Sequence, residues 1–147
     1  MAQHLVEIDA IVAQDAAPSF ENTIVKLELA GQLLNRVSRV FFALSGAHTN
    51  DQIQALQQQI APQLAAHDDA IVLNADLFAR IQALFADRAE LGLTPEAVRL
   101  IEQYHTDFVR AGAALSREEK SRLREINGEL ASLQTKFSQN VLNEVNA

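Results

Sequence analysis

Residues Ser19 to His48 read SFENTIVKLELAGQLLNRVSRVFFALSGAH, the longest apolar seam in the first half of the chain. Ile24, Leu27, Leu34, Val37, Phe41 and Leu44 recur there at steps of three, seven, three, four and three. At 3.6 residues per turn these positions share one helix face. Leu29, Leu33, Val40 and Phe42 broaden the stripe beyond a two-position seam, as expected of a helix with neighbours on more than one side. The pattern predicts a central helix surrounded by three or four others.

The flanking segments repeat that pattern. Met1, Leu5, Ile8, Ile11 and Val12 share a helical face, and Pro18 ends a loop that begins near Gln14. Ser19 is placed to cap the central helix with Glu21 in its first turn, and Asn22 is an equally good cap one turn later. Gly46 is the expected stop. Thr49 with Gln52 has capping-box spacing, and Ile53, Leu56, Ile60, Leu64 and Ile71 follow as a stripe that Pro62 is expected to kink. Asn74 caps a helix carrying Leu77, Phe78, Ile81, Leu84 and Phe85, which Gly92 stops. Thr94-Pro95-Glu96 starts the helix of Val98, Ile101, Tyr104, Phe108 and Ala111, and Gly112 closes it.

Ser116 with Glu119 forms a second capping box. It opens a helix with Leu123, Ile126, Leu130, Leu133 and Phe137 in heptad spacing, a seam continued by Val141 or Leu142. A packed seam predicts that Leu130→Ala costs about 2–5 kcal/mol. No segment alternates with period two for long enough to be a strand. The expected fold is all-α: about six helices packed as antiparallel neighbours in one domain, residues 1–147. The chain starts uncapped at Met1 and stops mid-pattern at Ala147, as a piece of something longer would; a complete small protein with frayed termini is the plainer alternative.

Composition narrows the function. A domain of 147 residues buries roughly 70% of its unfolded surface. The formal net charge of −7, from 12 Lys+Arg against 19 Asp+Glu, argues against a nucleic-acid surface. The absence of cysteine excludes a disulfide scaffold and thiolate metal sites and fits a reducing compartment. No apolar run approaches the roughly 20 residues that span a bilayer. Glu7 and Asp9 interrupt what would otherwise be a signal peptide, so a cytoplasmic location is expected, with no membrane partner.

No catalytic, cofactor-binding or metal-binding residue emerges. His4, His48, His67 and His105 are too widely spaced for a local ligand pair, and HExxH, P-loop, GxGxxG and GxSxG motifs are all absent. Glu102 and His105 have the ExxH spacing of di-iron bundles, but none of the other histidines follows a Glu at that spacing. His105 is then a packed or edge histidine beside Tyr104. Asp68 and Asp69 point about 100° apart on a helix and make poor partners in one site. Glu118 and Arg122 form an ordinary surface pair, and the local run Arg117, Lys120, Arg122 and Arg124 is interleaved with acids as on a solvated face. Phe41, Phe42, Phe78, Phe85, Phe108 and Phe137 are expected in the core.

The ordered segments Pro18-Ser19-Phe20-Glu21-Asn22-Thr23-Ile24, Gly31-Gln32-Leu33-Leu34, Val40-Phe41-Phe42 and Ala47-His48-Thr49-Asn50-Asp51 resemble those of the thimet-oligopeptidase-like zinc peptidases. So do Leu77-Phe78-Ala79-Arg80, Glu90-Leu91-Gly92-Leu93, Phe108-Val109-Arg110-Ala111-Gly112-Ala113 and Leu133 to Leu142. The likeness is greatest to the peptidyl-dipeptidase branch, with the oligopeptidase A branch beside it. It implies the N-terminal helical region of a larger enzyme, in which two helical halves enclose a channel that admits short peptides. It also implies that HExxH and the zinc lie in a downstream half, the partner this chain lacks. The parent would release C-terminal dipeptides from short peptide substrates. This region alone would be one channel wall, with neither catalysis nor zinc, and its uncovered surface would favour artificial dimerisation. A stand-alone interaction module pairing through the Leu123–Phe137 helix is the alternative.

Overall fold

The computed structural model describes residues 1–145. Seven α-helices follow one another: α1 (Ala2–Val12), α2 (Lys26–Leu29), α3 (Gln32–Ala47), α4 (Asp51–Val72), α5 (Ala75–Asp87), α6 (Pro95–Arg110) and α7 (Arg117–Val145), with a π-helical segment, Phe20–Val25, leading into α2. No strand occurs among the described residues, so the all-α expectation holds. Asn146 and Ala147, the expected end of the last helix, lie outside the described residues.

The starts follow local chemistry closely. Asn74 accepts the Leu77 N–H at 2.9 Å, and Thr94 accepts that of Ala97 at 3.3 Å. Ser116 and Glu119 exchange both bonds of their capping box. The α3–α4 turn differs: Asn50 accepts the Ile53 N–H at 2.9 Å, while the buried Thr49 hydroxyl has no partner. Asn50 wins because its extended backbone places the side-chain oxygen over the first turn. The stops are looser. Helix α3 runs through Gly46, α5 ends before the left-handed Gly92, and α4 continues unbroken through Pro62.

The core lies elsewhere than the apolar stripe of Ser19–His48 suggests. Ile8 and Ile11 of α1, Ile24 of the π segment, Leu77, Phe78, Ile81 and Leu84 of α5, and Ile101 and Phe108 of α6 form one buried cluster. Helix α5 is its centre, and burying a side chain such as Ile81 stabilises the fold by about 1.5–3 kcal/mol. Helices α5 and α6 are antiparallel, since Phe78 stacks near Phe108 while Phe85 meets His105.

The expected single central helix is instead broken at Ala30–Gly31. Gly31 has φ 69°, a left-handed backbone at which a side chain is strained, and an added Cβ would sit 2.5 Å from His4 Cε1. Its N–H donates to Glu7 Oε2 at 2.7 Å. Beyond the break α3 buries only Ser45, while Leu33, Val37, Val40 and Leu44 are each more than half exposed. The periodicity was generated by a real apolar face, but among the described residues that face stays largely exposed.

Helix α7 repeats the lesson. It runs antiparallel to α4, because Lys120 reaches the Leu73 carbonyl, Asn127 reaches Asp69 and Gln139 reaches Gln54. The side it turns to α4 is therefore polar and small. The heptad seam faces away: exposure rises from 37% at Ile126 through 46% at Leu130 and 61% at Leu133 to 69% at Phe137. The expected core places for Phe42 and Phe137 are wrong for the same reason, and Leu130 lacks the packing that a loss of about 2–5 kcal/mol on truncation requires. Arg122 pairs with Glu125 at 2.7 Å rather than with Glu118.

Candidate functional site

The densest polar cluster is built on the start of the π segment. The Ser19 hydroxyl accepts the Asn22 N–H at 3.1 Å, and Asn22 Oδ1 returns by accepting the Ser19 N–H at 2.8 Å. Both open alternatives for the cap are thus used at once: Ser19 is the cap and Asn22 its reciprocal partner. The same Asn22 oxygen accepts the Thr23 hydroxyl at 2.9 Å and the Arg80 Nη2 at 2.9 Å. Its amide nitrogen donates to the Ala17 carbonyl at 2.9 Å.

Arg80 enters from α5 and is 8% exposed. Its guanidinium also donates to the Gln14 carbonyl at 3.4 Å, the Ala16 carbonyl at 3.2 Å and the Thr23 hydroxyl at 3.3 Å. Gln14, in turn, donates to the Asn22 carbonyl at 3.2 Å. A buried cation held by neutral oxygens thus fastens the α1–π loop to the core helix. Sequence reasoning missed Arg80 as a hub, although the signal was present. It lies three residues after Leu77 and four before Leu84, on the apolar side of its own helix.

This arrangement positions chain and offers nothing to react. Its side chains are two amides, two hydroxyls and a guanidinium, with no base to activate a nucleophile. The other charged candidates are equally committed. Glu102 binds Arg88 at 3.2 Å and Arg99 at 3.4 Å. His105 stacks on Phe85 at 3.9 Å between centroids and on Phe78 at 5.8 Å, a packed histidine as expected. Asp69 is buried and accepts from Asn127 at 2.7 Å while Asp68 projects differently, so the two carboxylates share no site. His48 lies exposed just beyond α3.

His4 and His67 are the exception to the expectation of scattered histidines, for the fold brings their ring nitrogens to 3.0 Å. Zinc needs three or four protein ligands, and no group of three His, Cys, Asp or Glu suited to a metal forms among the described residues. The donor set does not fit the ion. Nor is any helix among the described residues long and apolar enough to cross a membrane.

What these features define is an all-helical fold in which Asn22 and Arg80 fix the path of the chain between α1 and α5. The chain is similar to dipeptidyl carboxypeptidases. It is 48% identical over 140 residues to the dipeptidyl carboxypeptidase of Salmonella typhimurium, a match covering 95% of this chain and 21% of that protein. To the dipeptidyl carboxypeptidase of Escherichia coli it is 45% identical over 142 residues, covering 97% of this chain and again 21% of the relative. The chain therefore spans about one-fifth of the length of these curated relatives. No protein-family model matches it.

Proposed function

We propose that this chain is the non-catalytic N-terminal helical portion of a cytoplasmic, zinc-dependent peptidyl-dipeptidase. It supplies one wall of a channel that restricts access to short peptides, from which the whole enzyme releases C-terminal dipeptides. The observation that carries the proposal is the likeness to dipeptidyl carboxypeptidases along almost the whole chain, over only 21% of their length. The distribution of chemistry supports it. The polar cluster around Arg80 organises the chain, and zinc and its general base belong to the part of such an enzyme that does not correspond to this chain.

Two apolar faces support the partner as well. Leu33, Val37, Val40 and Leu44 on α3, and Ile126, Leu130, Leu133 and Phe137 on α7, are exposed side chains at helical spacing. Faces of this kind mark interaction surfaces, and the remainder of the polypeptide is the partner that this proposal assigns to them. The purified chain should carry no stoichiometric zinc and cleave no peptide, and its gene should continue in frame past Ala147 to an HExxH codon run. Zinc at one per chain with chelator-sensitive hydrolysis would overturn the non-catalytic assignment. A stop codon soon after Ala147 would overturn the larger enzyme and leave the alternative, an interaction module pairing through α7, which the exposed Ile126–Phe137 seam favours.

A further inference from the structure

His4 of α1 and His67 of α4 stand 63 residues apart in sequence and touch in the fold, His67 Nε2 lying 3.0 Å from His4 Nδ1. The ring centroids are 5.0 Å apart. His67 is 4% exposed, and its Nδ1 has no hydrogen-bond partner. His4 also packs on the turn before α3, filling the space a side chain at Gly31 would need. The same turn is held from α1 a second time, by the bond from the Gly31 N–H to Glu7. Two neighbouring side chains of α1 thus join three elements.

A neutral imidazole carries one donor and one acceptor, so two neutral rings at this distance share one N–H bond. When both rings are cations, two N–H groups face each other and the charges repel. The surrounding groups offer little relief. The Met1 amino group adds positive charge, and the α3 side chains beside His4 are the uncharged Leu33, Leu34 and Val37. Glu7 and Asp69 keep their charge, but their bonded oxygens are directed to the Gly31 N–H and Gln3 and to Asn127 of α7. Asp68, next to His67, is the one carboxylate whose charge opposes the others, and it faces a groove whose remaining lining, from α3, α4 and α7, is uncharged.

We propose that the His4–His67 pair is an acid-released clasp that fastens the first turns of α1 and the Gly31 turn to α4. Burial first, then His4, holds His67 below the ordinary imidazole value of 6.5, with Asp68 working the other way and the Met1 amino group adding to the lowering. The unfolded or unclasped form therefore binds the proton more readily, so the clasp is fully formed above that value and is lost as the pH falls through the lowered one. Asp68 acts in the opposite sense. It retains solvent contact, yet the groove wall desolvates it enough to raise its carboxyl above the ordinary 3.8, which favours the folded form as the acid is taken up.

Amide hydrogen exchange on the full chain tests the clasp, with Gly31 as reporter because its N–H is held from α1. Between about pH 7.5 and about pH 5.5, corrected for intrinsic rates, protection at Gly31 and over Val6–Ile8 should fall about tenfold. Protection at Ile81 in the core should hold. His4→Gln should reduce the fall, leaving only the part that comes from the burial of His67, and it is preferred over His67→Gln because His4 is only half-buried. No fall in the wild-type chain, or an equal fall in His4→Gln, would overturn the clasp.

Discussion

Replacing Asn22 by Ala isolates what the Phe20-Glu21-Asn22-Thr23 motif contributes. The substitution removes one oxygen that accepts three hydrogen bonds, from the Ser19 N–H, the Thr23 hydroxyl and Arg80. It also removes the donor to the Ala17 carbonyl. The exposed-side bonds are replaced by water at little cost. The bond to a buried guanidinium is worth about 1.5–3 kcal/mol, and loss of a helix cap partner adds about 1 kcal/mol. Asn22→Ala should therefore destabilise the chain by about 2–4 kcal/mol. With a urea m-value of about 2 kcal/mol per molar, the midpoint of unfolding followed by helical circular dichroism falls by roughly 1–2 M. Asn22→Asp should avoid most of that loss, because its carboxylate still accepts from Ser19 and adds a charge beside the buried cation. A cost below about 0.5 kcal/mol for Asn22→Ala, or equal costs for Ala and Asp, would refute the hub.

The two apolar faces can be separated from the core by one pair of substitutions. Ile81→Ala, at a fully buried site, should cost about 2–5 kcal/mol in urea unfolding, whereas the half-exposed Leu130→Ala should cost under about 1 kcal/mol. Tyr104 gives a spectroscopic check of the α2–α6 contact, since its hydroxyl donates to Glu28 at 2.7 Å. Burial first, then that bond, raises its pKa above the ordinary 10.0. The unfolded chain therefore loses this proton first, and the contribution to stability declines as alkaline pH rises past the ordinary value. Ultraviolet titration should find the phenol still protonated near pH 11, and Tyr104→Phe should leave no such titration; normal ionisation in the folded chain would contradict the contact.

The motif resemblance and the physics meet at this hub. Asn22 and Arg80 belong to two separate stretches that carry the likeness, Pro18–Ile24 and Leu77–Arg80, and the fold joins them at 2.9 Å. Each stretch was legible as a helix start or an apolar stripe. Their contact was not, because a side-chain bond across 58 positions leaves no periodic trace.

Local chemistry in the sequence determined the all-helical class and the caps at Ser19, Asn74, Thr94 and Ser116. These depend on hydrogen bonds within four residues and on the 3.6-residue period. The sequence by itself also determined which faces of α3 and α7 are apolar, but only the tertiary structure decided which faces are covered. Periodicity records that a side of a helix prefers apolar company and carries no information on which neighbour supplies it. Hence the Ser19–His48 stripe divides at Gly31, sending Ile24 into the core and Val37 and Leu44 outward. Helix α7 meets α4 through Lys120, Asn127 and Gln139, because the contact of two helices is set by their neighbours' geometry as well as by their own apolar residues.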